Sequence, residues 1–169
     1  MNQNNDYEKI YNDLIQPYHK IISINNNTLY LGNQSTAGGM PDKWNYSKDD
    51  YDNICNNLKN LNVKSIVCCA DNIEIFPNNF TYLQIPMRNH CDFSIKESVD
   101  KAYNFIVENI KNGSVFVHCN AGVTRSASTV IYFLMKYKEW DFKTAHDYVK
   151  NIRSCIDVDI FENQLMSYS

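Results

Sequence analysis

The sequence predicts an α/β domain, with a central, mostly parallel mixed sheet flanked by helices on both faces. Three observations lead there. Apolar residues switch between helical spacing and short extended runs along the whole chain. Two of the extended runs, residues 63–70 (VKSIVCCA) and 114–118 (SVFVH), are apolar at most positions, as strands covered on both faces are. The chain has 169 residues, 44% apolar and 21% charged. That suits one domain able to hide about 70% of its unfolded surface, and it leaves no room for a second catalytic domain.

The elements follow in order. Tyr7, Ile10, Tyr11, Leu14 and Ile15 share one helical face, so residues 1–19 are assigned to an N-terminal helical extension that packs on a domain formed by residues 20–169. Residues 21–24 and 29–31 flank Asn25, Asn26 and Asn27 as a hairpin. A second helical stripe runs through Tyr51, Ile54, Leu58 and Leu61. Residues 63–70 and 80–86 (FTYLQIP) read as strands joined by a polar connection containing Pro77. Val99, Ala102, Tyr103, Ile106, Val107 and Ile110 form the strongest helical stripe, which Asn112 and Gly113 end. The SVFVH strand then leads into Cys119, and helical spacing returns from about Thr124 to Tyr137. Two more helices follow: Phe142, Ala145, Tyr148, Val149 and Ile152 with Asp141 as cap, then Val158, Phe161, Leu165 and Met166.

Charge and cysteine usage narrow the partners. A net charge of −3 offers no basic face to displace counterions from nucleic acid or an anionic membrane, so any phosphate recognition has to be local. The opening residues (MNQNNDYEKI) do not form a secretion leader, and no apolar run approaches about 18 residues. A cytoplasmic or nuclear location is expected, with no membrane partner. In that setting the six cysteines are expected to be mostly reduced thiols. No metal and no cofactor is expected, because Cys68 and Cys69 are adjacent rather than spaced as a ligand pair and His118-Cys119 has no second pair nearby.

The chemistry concentrates in residues 118–126 (HCNAGVTRS). A strand ends in Cys119, a short loop contains Gly122, and Arg125 opens a helix. The amides of Asn120, Ala121, Gly122, Val123, Thr124 and Arg125 can then converge on an anion at a helix N-terminus. A thiol in such a place becomes a thiolate near neutral pH, and the thiolate is the form that attacks phosphorus. Arg125 can donate two bonds to phosphoryl oxygens, which Lys could not copy. Gly122 keeps a side chain out of the tight turn, and the Ser126 hydroxyl can stabilise the sulfur as a leaving group. His118 fits a role in bonding the loop backbone better than one in proton transfer. An ordinary buried cysteine at a strand-turn-helix junction is the plain alternative. Average residue usage gives these five residue types at these offsets by chance only on the order of 10⁻⁵ of the time.

HCNAGVTRS resembles the signature of the protein tyrosine phosphatase superfamily, in particular its dual-specificity branch. The likeness extends to Leu29-Tyr30-Leu31-Gly32, to the strand Tyr82 to Pro86 and to Gln164-Leu165, and covers residues 20 to 167. It implies that residues 20–169 are a catalytic domain working in two steps. Cys119 takes the phosphoryl group while a carboxylic acid protonates the departing oxygen, and that same group then activates water. The sequence departs from the family at the acid: by the resemblance an Asp should stand at residue 89, where this chain has Asn89. Asp92, three residues on, is the leading candidate for the acid. It reads equally well as a solvated loop carboxylate or a cap for a helix beginning near Ser94, and His90 is a further candidate. The resemblance also matches Cys69 to a second cysteine with which phosphoinositide phosphatases trap an oxidised nucleophile; a plain core cysteine is the other reading.

The loop between Cys119 and Arg125 holds no Lys, which resembles the protein-directed members and implies a phosphorylated protein as substrate, at phosphotyrosine and phosphoserine or phosphothreonine. The chain is too short for the long recognition loop of the classical tyrosine-specific enzymes, so a shallower pocket is expected. Asn89 leaves a phosphoprotein-binding pseudophosphatase as the rival. Action on nucleic-acid ends lacks the basic face it would want.

Overall fold

Two asparagines set the first turn of the sheet. Asn25 and Asn26 have φ of 48° and 68°, the left-handed pair a two-residue hairpin turn needs and one that Asn tolerates better than most residues. They join β1 (Tyr18–Ile24) to β2 (Asn27–Gly32) in an antiparallel pair that begins at Ile24 opposite Asn27. The third asparagine of the run thus starts the strand, and its side chain donates to the Ile110 carbonyl at 2.8 Å. The computed structural model describes residues 3–37, 47–71, 76 and 78–169; the expected connection at Pro77 lies outside them.

Helix α1 (Gln3–Ile15) precedes the hairpin. Its apolar face was expected to pack on the domain, yet Tyr7, Ile10, Tyr11, Leu14 and Ile15 are all exposed. The helix is fastened instead by polar bonds at its last turn, where the Asp13 carboxylate accepts from the Ser154 amide at 2.7 Å and hydroxyl at 2.6 Å. That seating turns the stripe outward.

After β2 come α2 (Gln34–Ala37), α3 (Lys48–Asn60), β3 (Val63–Cys68), β4 (Thr81–Gln84), α4 (Lys96–Asn109), β5 (Ser114–His118), α5 (Arg125–Lys138), α6 (Phe142–Ile152) and α7 (Asp159–Ser167). Ser47 and Asp50 close α3 with a reciprocal capping box, and Asp141 caps α6 as its sequence position suggested. The strands lie in the order β1-β2-β5-β3-β4, and every pair beyond the hairpin is parallel. The sheet is therefore mixed and mostly parallel, with β5 at its centre.

Alternation along the strands feeds two cores. Leu29 and Leu31 of β2 and Val115 and Val117 of β5 face α4, α5, α6 and α7. Tyr30, Ile66 and Phe116 point to the other side, against Leu58 and Cys55 of α3 and Phe76 and Phe80. Fully burying one such Leu or Val stabilises by about 1.5–3 kcal/mol, so the two covered faces explain the unbroken apolar runs. Helix α5 is buried at every position from Ser126 to Met135, which makes it the pillar on which the first core is built.

The strands before the site are shorter than residues 63–70 and 80–86. Their hydrogen bonds nonetheless continue past the ends: the Cys69 amide donates to His118 O at 2.8 Å, Ile85 to Cys68 O at 2.9 Å and Met87 to Cys69 O at 3.3 Å. Three chain segments are thereby carried to the carboxyl edge of the sheet, where ligands of open α/β sheets bind. No helix among the described residues is long and apolar enough to cross a membrane.

Candidate active site

Cys119 follows β5 directly, and α5 begins six residues later at Arg125. The loop between them presents its carbonyls outward. Asn120 O accepts from the Gln34 amide at 3.0 Å and Val123 O from the Asp157 amide at 3.1 Å. Arg153 supplies the two between, Nη2 to Ala121 O at 3.1 Å and Nε to Gly122 O at 2.9 Å. Thr124 O is turned into α5, where the Ser128 amide and hydroxyl bind it. No peptide among the described residues is cis, so each N–H points opposite the carbonyl it is bonded to, and the amides of residues 121–125 turn inward together. Gly122 makes this possible. It has φ of 70°, and a Cβ there would meet Gly32 O at 2.6 Å, a backbone atom that cannot yield.

Cys119 is buried, its sulfur 3.1 Å from the Ser126 hydroxyl. Burial alone would raise this thiol. Bonds from the Ser126 side chain and backbone, the charge of Arg125 and the Gly122 amide outweigh it and hold the Cys119 pKa below the ordinary thiol value. His118 donates from Nδ1 to the Cys119 carbonyl at 3.2 Å, and burial pushes its pKa down to about 4. The imidazole is thus neutral near pH 7 and shapes the loop without adding charge.

Arg125 reaches back across the site, with Nη1 donating to Met87 O at 3.3 Å. A small pocket of about 80 Å³ is lined by Asn89, Cys119, Asn120, Ala121, Val123, Thr124 and Arg125. A larger groove of about 410 Å³ lies beside Pro17, Thr36, Ile54 and Asn57 and has no cysteine in its lining. The smaller one brings together the loop backbone, the Arg125 guanidinium and the Cys119 sulfur.

The loop carrying the acid candidates is arranged differently from the simplest expectation. Asn89 lines the pocket. Asp92 does not; its carboxylate is 60% exposed and sits 2.9 Å from His90 Nδ1 and 3.3 Å from Arg88 Nη2. Nor does Asp92 cap a helix near Ser94. Helix α4 starts after Ile95, whose amide is taken by Gln164 Oε1 at 3.0 Å, while Gln164 Nε2 donates to Phe93 O at 2.8 Å. Gln164 therefore does the work a capping carboxylate would do, and it ties this loop to α7.

Cys69 directly follows β3, the strand next to β5, and its sulfur is 3.4 Å from Thr129 Oγ1. Burial, then the nearby Cys119 and Cys68, raise its pKa well above the ordinary value despite the Thr129 bond. All six cysteines are free thiols. Among the described residues no three His, Cys, Asp or Glu side chains are grouped to hold a metal ion.

Sequence reasoning missed Arg153. It is fully buried and bonds two of the loop carbonyls. The sequence carries no signal for it, since Arg153 sits in a mixed stretch that also holds Lys150, Asn151 and Ser154.

Comparison with known proteins places these features in context. A family model described as dual specificity phosphatase, catalytic domain, matches residues 45–169. MAP kinase phosphatase with leucine-rich repeats protein 3 of Dictyostelium discoideum is 35% identical over 114 residues, covering 66% of this chain and 13% of that protein. Dual specificity protein phosphatase 19 of Mus musculus is 37% identical over 114 residues, covering 66% of this chain and 52% of that one. The chain thus spans less than two thirds of the length of the curated relatives it matches. Among solved structures, human tyrosine phosphatase-like serine/threonine/tyrosine-interacting protein superposes with a TM-score of 0.69 at 28% identity, covering 83% of this chain and 89% of that one.

Proposed function

The chain belongs to the dual specificity phosphatase family, and from that premise we propose that it hydrolyses phosphotyrosine and phosphoserine or phosphothreonine in proteins through a phosphocysteine intermediate, and does so slowly. The carrying observation is the inward turn of the loop amides around a Cys119 thiol held below its ordinary pKa, with Arg125 on the same pocket. In this reading the phosphoryl group sits on the amides of residues 121–125 between Cys119 and Arg125. The thiolate attacks phosphorus, the substrate oxygen leaves with a proton, and Ser126 donates to the sulfur when water releases phosphate. A phosphorylated protein is the substrate class, because the loop lining the pocket carries no Lys to meet the further phosphates of an inositol lipid.

The slow rate comes from the acid. Asn89 lines the pocket but has no proton to give usefully, and Asp92 is the carboxylic acid of this proposal. Its side chain is engaged by His90 and Arg88 and has to turn toward the pocket to serve. Lack of a well-placed acid costs about 10²–10⁴ in rate.

Asn89 also favours a second reading, a phosphoprotein-binding module without turnover. The similarity to a human protein described as phosphatase-like and interacting points the same way. A thiol with a depressed pKa is surplus to such a module, so hydrolysis is the first choice.

Turnover of aryl phosphates of rising leaving-group pKa separates the two, with Cys119→Ser as blank and Asp92→Asn as probe. We expect slow turnover above the blank, with Asp92→Asn slowing only the poor leaving groups. No turnover above the blank, with phosphopeptide still bound, would overturn hydrolysis in favour of binding. Equal rates for Asp92→Asn and the parent would remove Asp92 from the mechanism.

A further inference from the structure

Arg153 is the largest side chain buried completely among the described residues. A buried guanidinium is costly unless its N–H groups are bonded, and here all three nitrogens are. Nε and Nη2 hold Gly122 O and Ala121 O, at 2.9 and 3.1 Å. Nη1 faces the other way. Its two N–H groups are shared among three acceptors, Asp13 O at 2.9 Å, Gln16 O at 3.1 Å and His19 Nδ1 at 2.9 Å. One side chain therefore joins the loop around Cys119 to the end of α1 and the start of β1.

The N-terminal half of this joint is built to receive a cation. Arg has no acceptor, so the His19 Nδ1 must accept, which leaves the proton on Nε2, 3.3 Å from Asp13 Oδ1. Burial and the Arg153 charge hold the His19 pKa below its ordinary value, against the pull of Asp13. Although burial works against it, bonds from Lys9 and Ser154 hold the Asp13 carboxyl well below the usual carboxylate range. The charged and titratable groups around Arg153 are thus Asp13 and Lys9 from α1, His19 from β1, and Cys155 and Cys119 beside it. Apolar packing does not explain the seating of α1, since its apolar stripe is exposed. All of Asp13, Gln16 and His19 also lie outside residues 45–169, the part that matches the family model.

We propose that the N-terminal segment is a working part of the catalytic unit: Asp13, Gln16 and His19 hold Arg153, and Arg153 is the positioning residue that keeps Ala121 and Gly122 carbonyls away from the pocket. The proposal rests on the reading of this loop as the phosphate site. Peptide planarity carries the effect inward. With Ala121 O held outward, the Gly122 N–H is directed at the Cys119 sulfur; with Gly122 O held, the Val123 N–H is directed into the pocket. Releasing Arg153 lets both peptide planes rotate, and the thiolate and the bound anion each lose a donor.

The test reads Cys119 without needing turnover. The pH dependence of iodoacetate alkylation gives the thiol pKa, followed at the Cys119 peptide by mass spectrometry because Cys91 is exposed and alkylates too. Protection by inorganic phosphate gives anion affinity. Asp13→Ala removes the acceptor for Ser154 and His19; His19→Phe keeps a ring but removes the acceptor for Arg153. Each is expected to stay folded by circular dichroism, raise the Cys119 pKa by about one unit and weaken phosphate protection about tenfold. Asp13→Asn, which keeps an oxygen for Ser154, should recover part of both. A folded His19→Phe or Asp13→Ala with unchanged thiol pKa and unchanged protection would overturn the proposal. A parent protein without turnover would instead refute hydrolysis, and the alkylation result would still stand for a binding module.

Discussion

Replacing Asn89 with Asp places a carboxylic acid on the rim of the pocket that Cys119 and Arg125 line. A positioned general acid is worth about 10²–10⁴ in rate when it carries its proton. An Asp with an ordinary pKa of about 3.9 is protonated in only about one molecule in a hundred at pH 6, so the expected gain there is about 1- to 100-fold. Arg125 shares the pocket and stabilises the carboxylate, which moves the gain toward the lower end. The protonated fraction grows about tenfold for each pH unit lowered toward the pKa, and the gain should grow with it. The assay is kcat for Asn89→Asp divided by kcat for the parent, from pH 7 to pH 5, on one aryl phosphate with a good leaving group and one with a poor one. Taking the ratio cancels the ionisation of Cys119 and of the substrate. A rising ratio on the poor leaving group and a flat one on the good is expected. A ratio that is flat with pH, or equal for both substrates, would mean that residue 89 does not reach the leaving oxygen, and the explanation of slow turnover would fall with it.

Two further outcomes are expected. Cys69 and Cys119 each directly follow one of two neighbouring strands, and their sulfurs contact Thr129 and Ser126 on the first turns of the same helix. Mild peroxide should convert the Cys119 thiolate to a sulfenic acid, which the Cys69 thiol attacks, forming the disulfide and releasing water. Peptide mapping should show the linked pair, reversible by dithiothreitol, and Cys69→Ser should carry sulfinic Cys119 instead; sulfinic acid forming equally in both, with no linked pair, would exclude the disulfide. Stability should also fall with acid through His118. Its folded pKa is pushed down to about 4, so below the unfolded value of about 6.5 the unfolded chain takes up a proton that the folded chain refuses. The loss is complete near pH 4 and amounts to about 3 kcal/mol. Urea titrations at pH 7, 5.5 and 4.5 should show it in the parent and less of it in His118→Gln; identical pH slopes would refute the assignment.

What could be read from the sequence was what the chain settles locally. The loop from Cys119 to Ser126 is legible because the strand, the turn and the helix N-terminus that shape it are contiguous. The hairpin is legible because Asn25 and Asn26 tolerate the left-handed region at adjacent positions. Periodicity gave the apolar face of α1 correctly but not its fate, since a period says which side chains share a face and nothing about whether another surface meets it. Asp92 was ambiguous for a related reason: Gln164, far along the chain on α7, satisfies the amide that a cap would have taken. Arg153 is the extreme case, with partners on the loop at Ala121 and Gly122 and, 140 positions away, at Asp13. Nothing near it in sequence explains a buried cation there. Its reason exists only in the folded chain, where the carbonyls turned away from the anion need a donor of their own. A loop that gathers N–H groups for a ligand creates, on its far side, a matching set of acceptors. Such a set can be met by the backbone, as at Asn120 and Val123, or by one long side chain whose other end is then free to report on a distant segment. The second solution couples the N-terminal segment to Cys119, and it is the feature by which variation outside the signature loop can set the reactivity of the cysteine within it.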